Sequence, residues 1–223
     1  MKITVLCPHF APDTAPTGQV ITQLVEELSQ EGHRIHVVTS LPWYRTHSVE
    51  EDWKKRLFSK EKTDWCRITR IHPCASTSRT NLIARSAGFV AFSLMAALFS
   101  IFTRKADLIL AMSPPLTLAP AGWIAAKRHR APLVLNIQDV HPDAAIATGT
   151  ITDTRAIGLL RRLEKMSYKK ADAITVLSRR PKRKACRSSA RRKSALSYSK
   201  LCRYRKHLPE RAPQQLSPGV RSA

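Results

Sequence analysis

Six consecutive residues, Gln138-Asp139-Val140-His141-Pro142-Asp143, hold two carboxylates, an imidazole and an amide just after an apolar run, Pro132–Ile137. Such a set can orient a hydroxyl with an acid and donate to a developing charge from a neighbouring group. The same groups can equally cap a loop. A second candidate is Pro8–Gln19, where three prolines lead to Thr17, Gly18 and Gln19. If a helix starts there, its first amides face outward at the positive end of the dipole and suit a phosphate. Alternatively Thr17 caps the helix and Gly18 only permits the turn. A third is Ser40–Tyr44, whose Trp43 and Tyr44 offer rings to a sugar or a lipid, or simply anchor the loop. In a fourth, Ser113-Pro114-Pro115-Leu116, Ser113 either contacts substrate or caps the next helix with Pro115 in its first turn.

Each candidate follows an apolar segment, and the order of those segments sets the fold. Lys2–Cys7 is β-branched and ends at Pro8, so it reads as a buried strand. A helix follows over 18–31, with Val20, Ile21, Leu24, Val25 and Leu28 on one face and Gly32 as its stop. Arg34–Thr39 is a second strand, which completes a βαβ unit. Further strands are expected at 65–72, 108–112, 132–137 and 173–177, and helices at 81–103, 116–129 and 156–170. This is an α/β fold with a Rossmann-like, doubly wound parallel sheet, and ligands of such sheets bind beyond the carboxyl ends of the strands. The dinucleotide fingerprint G-x-G-x-x-G is missing, and Thr39-Ser40 offers no acid for a ribose, which disfavours nicotinamide and flavin chemistry.

Charge divides the chain unevenly. Of 38 basic and 16 acidic residues, those up to Ser178 include 23 and 15, so the last 45 residues oppose 15 cations to Glu210 alone. That segment has no Asp, Asn, Thr, Ile, Phe, Met or Trp and no period, so it is expected to stay disordered. Residues 1–178 form one domain, and 179–223 a basic tail whose abrupt onset reads as a shifted reading frame. Such a tail binds nucleic acid incidentally, through phosphates and without sequence preference. Its two aromatics, Tyr198 and Tyr204, give little for base stacking. Five cysteines without ligand spacing point to a reducing cytosol and no metal. Ile3–Cys7 is too short for the apolar core of a secretion leader. Ser86–Phe102 lacks charge for 17 residues, the lower limit for a span. Lying between two strands of one sheet and flanked by Arg79, Arg85, Arg104 and Lys105, it reads as a buried or interfacial helix over an anionic membrane.

Taken in order, PHFAP, PTGQ, EEL, EGH, HVVTS, SLPWY, AMSPPLTL, IQDVHPDA and KKADAITVLS resemble the N-terminal domain of family 4 retaining glycosyltransferases. Within that family the likeness is to bacterial exopolysaccharide enzymes of the colanic-acid type, and it covers residues 1–178. The resemblance implies one half of a GT-B fold, in which this domain holds a glycan acceptor, often lipid-linked, at the cytoplasmic side of the inner membrane. The other domain would hold the nucleotide sugar, which is a substrate, so no cofactor and no metal are implied. By the same resemblance Gly18, flanked by Thr17 and Gln19, lies near the donor phosphates. Gln138 and Asp139 take the place of a catalytic His-Asp pair; Trp43, Ser113 and His141, read from their loops alone, are added as substrate-binding candidates. Without the donor half, the chain alone is expected to be inactive. The alternative is a non-catalytic basic protein that binds nucleic acid or membrane.

Overall fold

A computed structural model describes residues 1–74, 82–138, 153–176 and 195–197. β1 (Lys2–Leu6), α1 (Pro16–Gln30) and β2 (Arg34–Ser40) form the expected βαβ unit, with Val5 opposite Val37 in parallel register. Gly32, at φ +83°, follows the end of α1, a conformation that glycine adopts without strain. After β2 come β3 (Phe58–Lys62), β4 (Cys66–Ile71), α2 (Leu82–Ile101), β5 (Leu108–Ser113) and α3 (Leu118–His129). β6 (Leu133–Ile137), α4 (Thr154–Lys170), β7 (Ala173–Val176) and β8 (Ala195–Ser197) complete the described chain. The strands make one eight-stranded sheet in the order β3-β4-β2-β1-β5-β6-β7-β8, parallel except at β3.

Side chains alternate across the sheet, so each strand feeds two cores. Ile3, Val5, Ile35, Val37 and Leu110 pack with Ile21 and Val25 of α1 on one face. Leu6, Val38, Ile109 and Leu135 pack with Phe92, Ala96 and Ala125 of α2 and α3 on the other. Ile21 and Val25 are fully buried, and each side chain of this kind contributes about 1.5–3 kcal/mol. α2 and α3 are joined by polar contacts as well. Ser93 donates to Thr117 Oγ1 at 2.7 Å. His129 accepts the Ala106 N–H at Nδ1, 3.3 Å, and therefore donates from Nε2 to the Ser100 carbonyl at 2.9 Å. α2 is long and apolar enough to cross a membrane by length and composition alone, yet one of its faces is built into this core.

The structure corrects several expectations. Thr17 does not cap α1. The N-cap is Ala15, with Pro16 at the first helical position, where its missing N–H costs nothing. Ser113 does not cap α3 either, because it ends β5, and α3 starts at Leu118 after Thr117. β3 is an addition to the expected strands. Its Phe-Ser-Lys-Glu-Lys sequence has no apolar face, and an edge strand that pairs on one side only needs none. α4 begins at Thr154 because the Asp153 side chain accepts the Arg155 N–H at 2.9 Å. Within the tail, Ala195–Ser197 pairs in parallel with β7 on the side away from β6. The remainder of 177–223 lies outside the described residues.

His36 on β2 has its Nε2 2.9 Å from Thr69 Oγ1. Burial first, then the charges of Arg67 and Lys60, push its pKa from 6.5 down to about 4. The unfolded chain takes up this proton as pH falls through 6.5, whereas the folded chain resists until about 4. Stability is therefore lost across that window, up to about 3 kcal/mol. His36→Gln should flatten the dependence of unfolding free energy on pH there, as read by denaturant titration. Parallel profiles for the two proteins would refute the assignment.

Candidate active site

The carboxyl ends of β1, β2, β5 and β6 lie along one edge of the sheet, since these strands are parallel. Beyond β1, Cys7 still donates its N–H to Val38 O at 3.1 Å before the chain turns at Pro8. Phe10 plugs the core, fully buried. Around it the loop is tied from several sides. Ser40 Oγ donates to Pro8 O, Ala11 N–H donates to Thr22 Oγ1 at 3.1 Å, and the Arg70 guanidinium donates to Ala11 O. His9 Nδ1 stands 2.7 Å from Asp13 Oδ2, and Asp13 Oδ1 accepts the Tyr44 N–H at 3.3 Å. Asp13 is buried and both of its oxygens are engaged, so the imidazole is held in one orientation. His9 Nε2 has no hydrogen bond among the described residues.

Trp43 and Tyr44 wall this histidine. The Trp43 ring centroid lies 5.3 Å from that of His9, and Tyr44 presents an edge at 5.5 Å. The Trp43 indole N–H is buried without a partner among the described residues, as is Nη1 of Arg70. Gly18 sits in the first turn of α1 directly behind His9. A Cβ placed on it would fall 2.9 Å from His9 Cβ and 3.2 Å from the His9 carbonyl carbon. The helix can approach the loop this closely only with glycine there. Thr17 and Gln19 flank it, and Gln19 Nε2 reaches Thr14 O at 3.4 Å.

Further along the edge, Gln138 N–H donates to Ser113 O at 2.9 Å, which joins the ends of β5 and β6. Gln138 is buried, and its amide nitrogen points to Met112 Sδ at 3.2 Å and Asn136 Oδ1 at 3.3 Å. Asn136 in turn donates to Thr175 Oγ1 at 2.8 Å. The amide donors of Gln138 are thus used inside the sheet. Asp139 and His141 lie outside the described residues. The structure accordingly brings Thr17, Gly18, Gln19 and Trp43 to one cluster and Ser113 and Gln138 to another on the neighbouring strands.

His9, Asp13 and Arg70 do not stand out in the sequence. The available signal is a histidine and an aspartate four residues apart in a loop more constrained than a connection requires. Arg70 resembles any charge in a strand until the fold closes over it. Among the described residues a nucleophilic thiol is disfavoured, because burial pushes Cys7 up to about 12 and raises Cys66 and Cys74. No group of three or more metal-ligating side chains occurs among the described residues.

Solved structures share this architecture. Sucrose-phosphate synthase of Thermosynechococcus elongatus matches 88% of this chain and 47% of its own, with TM-score 0.53 and 17% identity. Arabidopsis thaliana UGT89C1, solved with UDP, matches 92% of this chain and 56% of its own, with TM-score 0.52 and 14% identity. The fold is that of one Rossmann-like half of a GT-B arrangement. The glycosyl transferase 4-like domain matches residues 17–195, and the chain belongs to that family. A colanic acid biosynthesis glycosyl transferase of Escherichia coli (strain K12), WcaI, is 27% identical over 191 residues, covering 83% of this chain and 46% of that protein. The chain thus spans about half the length of this curated relative.

Proposed function

We propose that this chain supplies the acceptor half of an enzyme that moves a sugar from a nucleotide sugar to a lipid-linked glycan in bacterial exopolysaccharide synthesis. The enzyme would work at the cytoplasmic face of the inner membrane. The observation that carries the reading is the His9–Asp13 pair between Trp43 and Tyr44, with His9 Nε2 in no hydrogen bond among the described residues. A buried carboxylate that fixes an imidazole prepares it to bind and align a hydroxyl. Aromatic walls offer stacking surface for a sugar ring. The amides of Thr17 and Gly18, in the first turn of α1 at the positive end of its dipole, suit a phosphate group of the donor. At this cluster the Arg70 guanidinium is tied to Glu61 and Ala11 rather than offered to a leaving diphosphate. Charge stabilisation of that kind is usually the largest catalytic term, so it would have to come from the donor half.

The test is retention of a radiolabelled polyprenyl-diphosphate monosaccharide, in neutral detergent micelles, by the full 223-residue chain. Saturable binding is expected, weakened about tenfold by His9→Ala or by Trp43→Ala. Addition of nucleotide sugars should yield no product above that of a Gly18→Trp control. Binding that ignores both substitutions, or turnover by the chain alone, would overturn the reading.

A further inference from the structure

We propose that the outer face of α2, with the basic cavities at its carboxyl end, seats this domain on an anionic membrane. Val90, Leu94, Leu98 and Phe102 follow one another at four-residue steps and are 45%, 64%, 53% and 80% exposed. Helical rise makes this a ridge about 18 Å long. It widens at its end toward β3, where exposed Phe58 meets Phe99 at a centroid distance of 5.8 Å and Leu57 is also exposed. A contiguous apolar surface of this kind marks a contact site rather than ordinary surface.

Phe102 lines one of two cationic hollows that meet at Thr103. A cavity of about 390 Å³ carries Lys60, Lys62, Arg67 and Arg104, together with Phe99 and Phe102. A second, of about 380 Å³, carries Lys105, Arg128, His129 and Arg130. The acid that lines either is Glu61, whose Oε1 accepts from buried Arg70. None of these seven Lys and Arg side chains is in an ion pair among the described residues. An apolar ridge flanked by unpaired cations has the chemistry of an interfacial helix: the ridge enters the acyl boundary and the hollows take headgroup phosphates. α2 does not span, since Phe92, Ala96 and Ala97 on its other side are core residues. A second copy of this chain would oppose the same seven cations across the contact, which disfavours it as the occupant. A nucleic acid would satisfy the hollows but leave the ridge in water. The inference rests on the acceptor reading only in that a lipid-linked acceptor requires a domain held at the bilayer.

The full chain should bind vesicles of one part phosphatidylglycerol to two parts phosphatidylcholine and should not bind pure phosphatidylcholine. The basic tail also attracts anionic lipid, so the decisive readout is insertion. Phe102→Trp should show a blue-shifted emission on vesicle binding and quenching by brominated acyl chains, and the Leu94→Glu/Leu98→Glu double variant should bind about tenfold more weakly at physiological salt. The latter two positions are exposed, so the core tolerates the change. Sedimentation with the vesicles but without the blue shift would assign binding to the tail and overturn the proposal. So would unchanged affinity in the double variant, or a dimer in the absence of lipid that the double variant dissolves. These vesicles hold no glycan acceptor, so their failure leaves the acceptor reading standing, and the micelle assay fails independently of them.

Discussion

Arg70→Ala is expected to destabilise the domain by about 3 kcal/mol or more. The side chain is 1% exposed. Its Nε donates to Glu61 Oε1 at 2.8 Å, one terminal nitrogen donates to Ala11 O, and the guanidinium lies 5.4 Å from the centre of the Trp53 ring. One side chain therefore links edge strand β3, strand β4 and the site loop. Truncation leaves a void, an acceptor without a donor at Ala11, and a carboxylate without its cation. Glu61 is 30% exposed, so water recovers part of that last loss. The combination Arg70→Met with Glu61→Leu removes both charges while keeping volume, and should return most of the stability, because a buried ion pair gains little over well-packed apolar groups. It should not restore acceptor binding, because the Ala11 carbonyl then lacks its donor and the turn that carries His9 keeps only its ties to Thr22 and Ser40. Urea unfolding gives the first result and micelle retention the second. An Arg70→Ala chain within about 1 kcal/mol of the parent would remove Arg70 from this role.

What the sequence disclosed and what it hid divide along a physical line. Continuous apolar runs disclosed β1, β2, β5 and β6, which bury both faces in the sheet, and a repeat of 3.6 disclosed α1, which buries one. β3 was hidden because all its order comes from pairing with β4, a contact without signature in Phe58–Lys62 itself. Gly18, Trp43 and Ser113 were found at the sheet's carboxyl edge because topology alone puts loops there. The roles within that edge were less legible. Capping by Thr17 or Ser113 depends on backbone angles one or two residues away, and the inward turn of the Gln138 amide depends on Met112 and Asn136. The His9–Asp13 pair becomes meaningful only when Tyr44, from another strand's loop, closes on the carboxylate. The family resemblance was carried by strings such as PTGQ and SLPWY, and residues 17–195 match the family.

Two helical glycines should respond to alanine with opposite signs. In an exposed helix, glycine to alanine adds up to about 1 kcal/mol through reduced backbone freedom. Gly158 on α4 is exposed, and a Cβ there would meet nothing within 4 Å, so Gly158→Ala should stabilise by that amount. Gly18 has the same helical backbone but not the same space. Its Cβ would sit 2.9 Å from His9 Cβ and 3.2 Å from the His9 carbonyl carbon, the latter being main chain that cannot rotate aside. Either α1 moves off the sheet, where Ile21 and Val25 are fully buried, or the 8–13 loop moves outward. The loop is the softer of the two, so His9 should leave Asp13 and the Trp43 wall. Gly18→Ala should then cost about 1–3 kcal/mol, as overpacking does, and weaken retention of the polyprenyl-diphosphate sugar by about tenfold. The larger Gly18→Leu should abolish retention while the domain still folds. Denaturation midpoints and micelle retention for Gly18→Ala and Gly158→Ala, measured side by side, decide it: equal gains in stability with binding intact would show that His9 does not rest on Gly18.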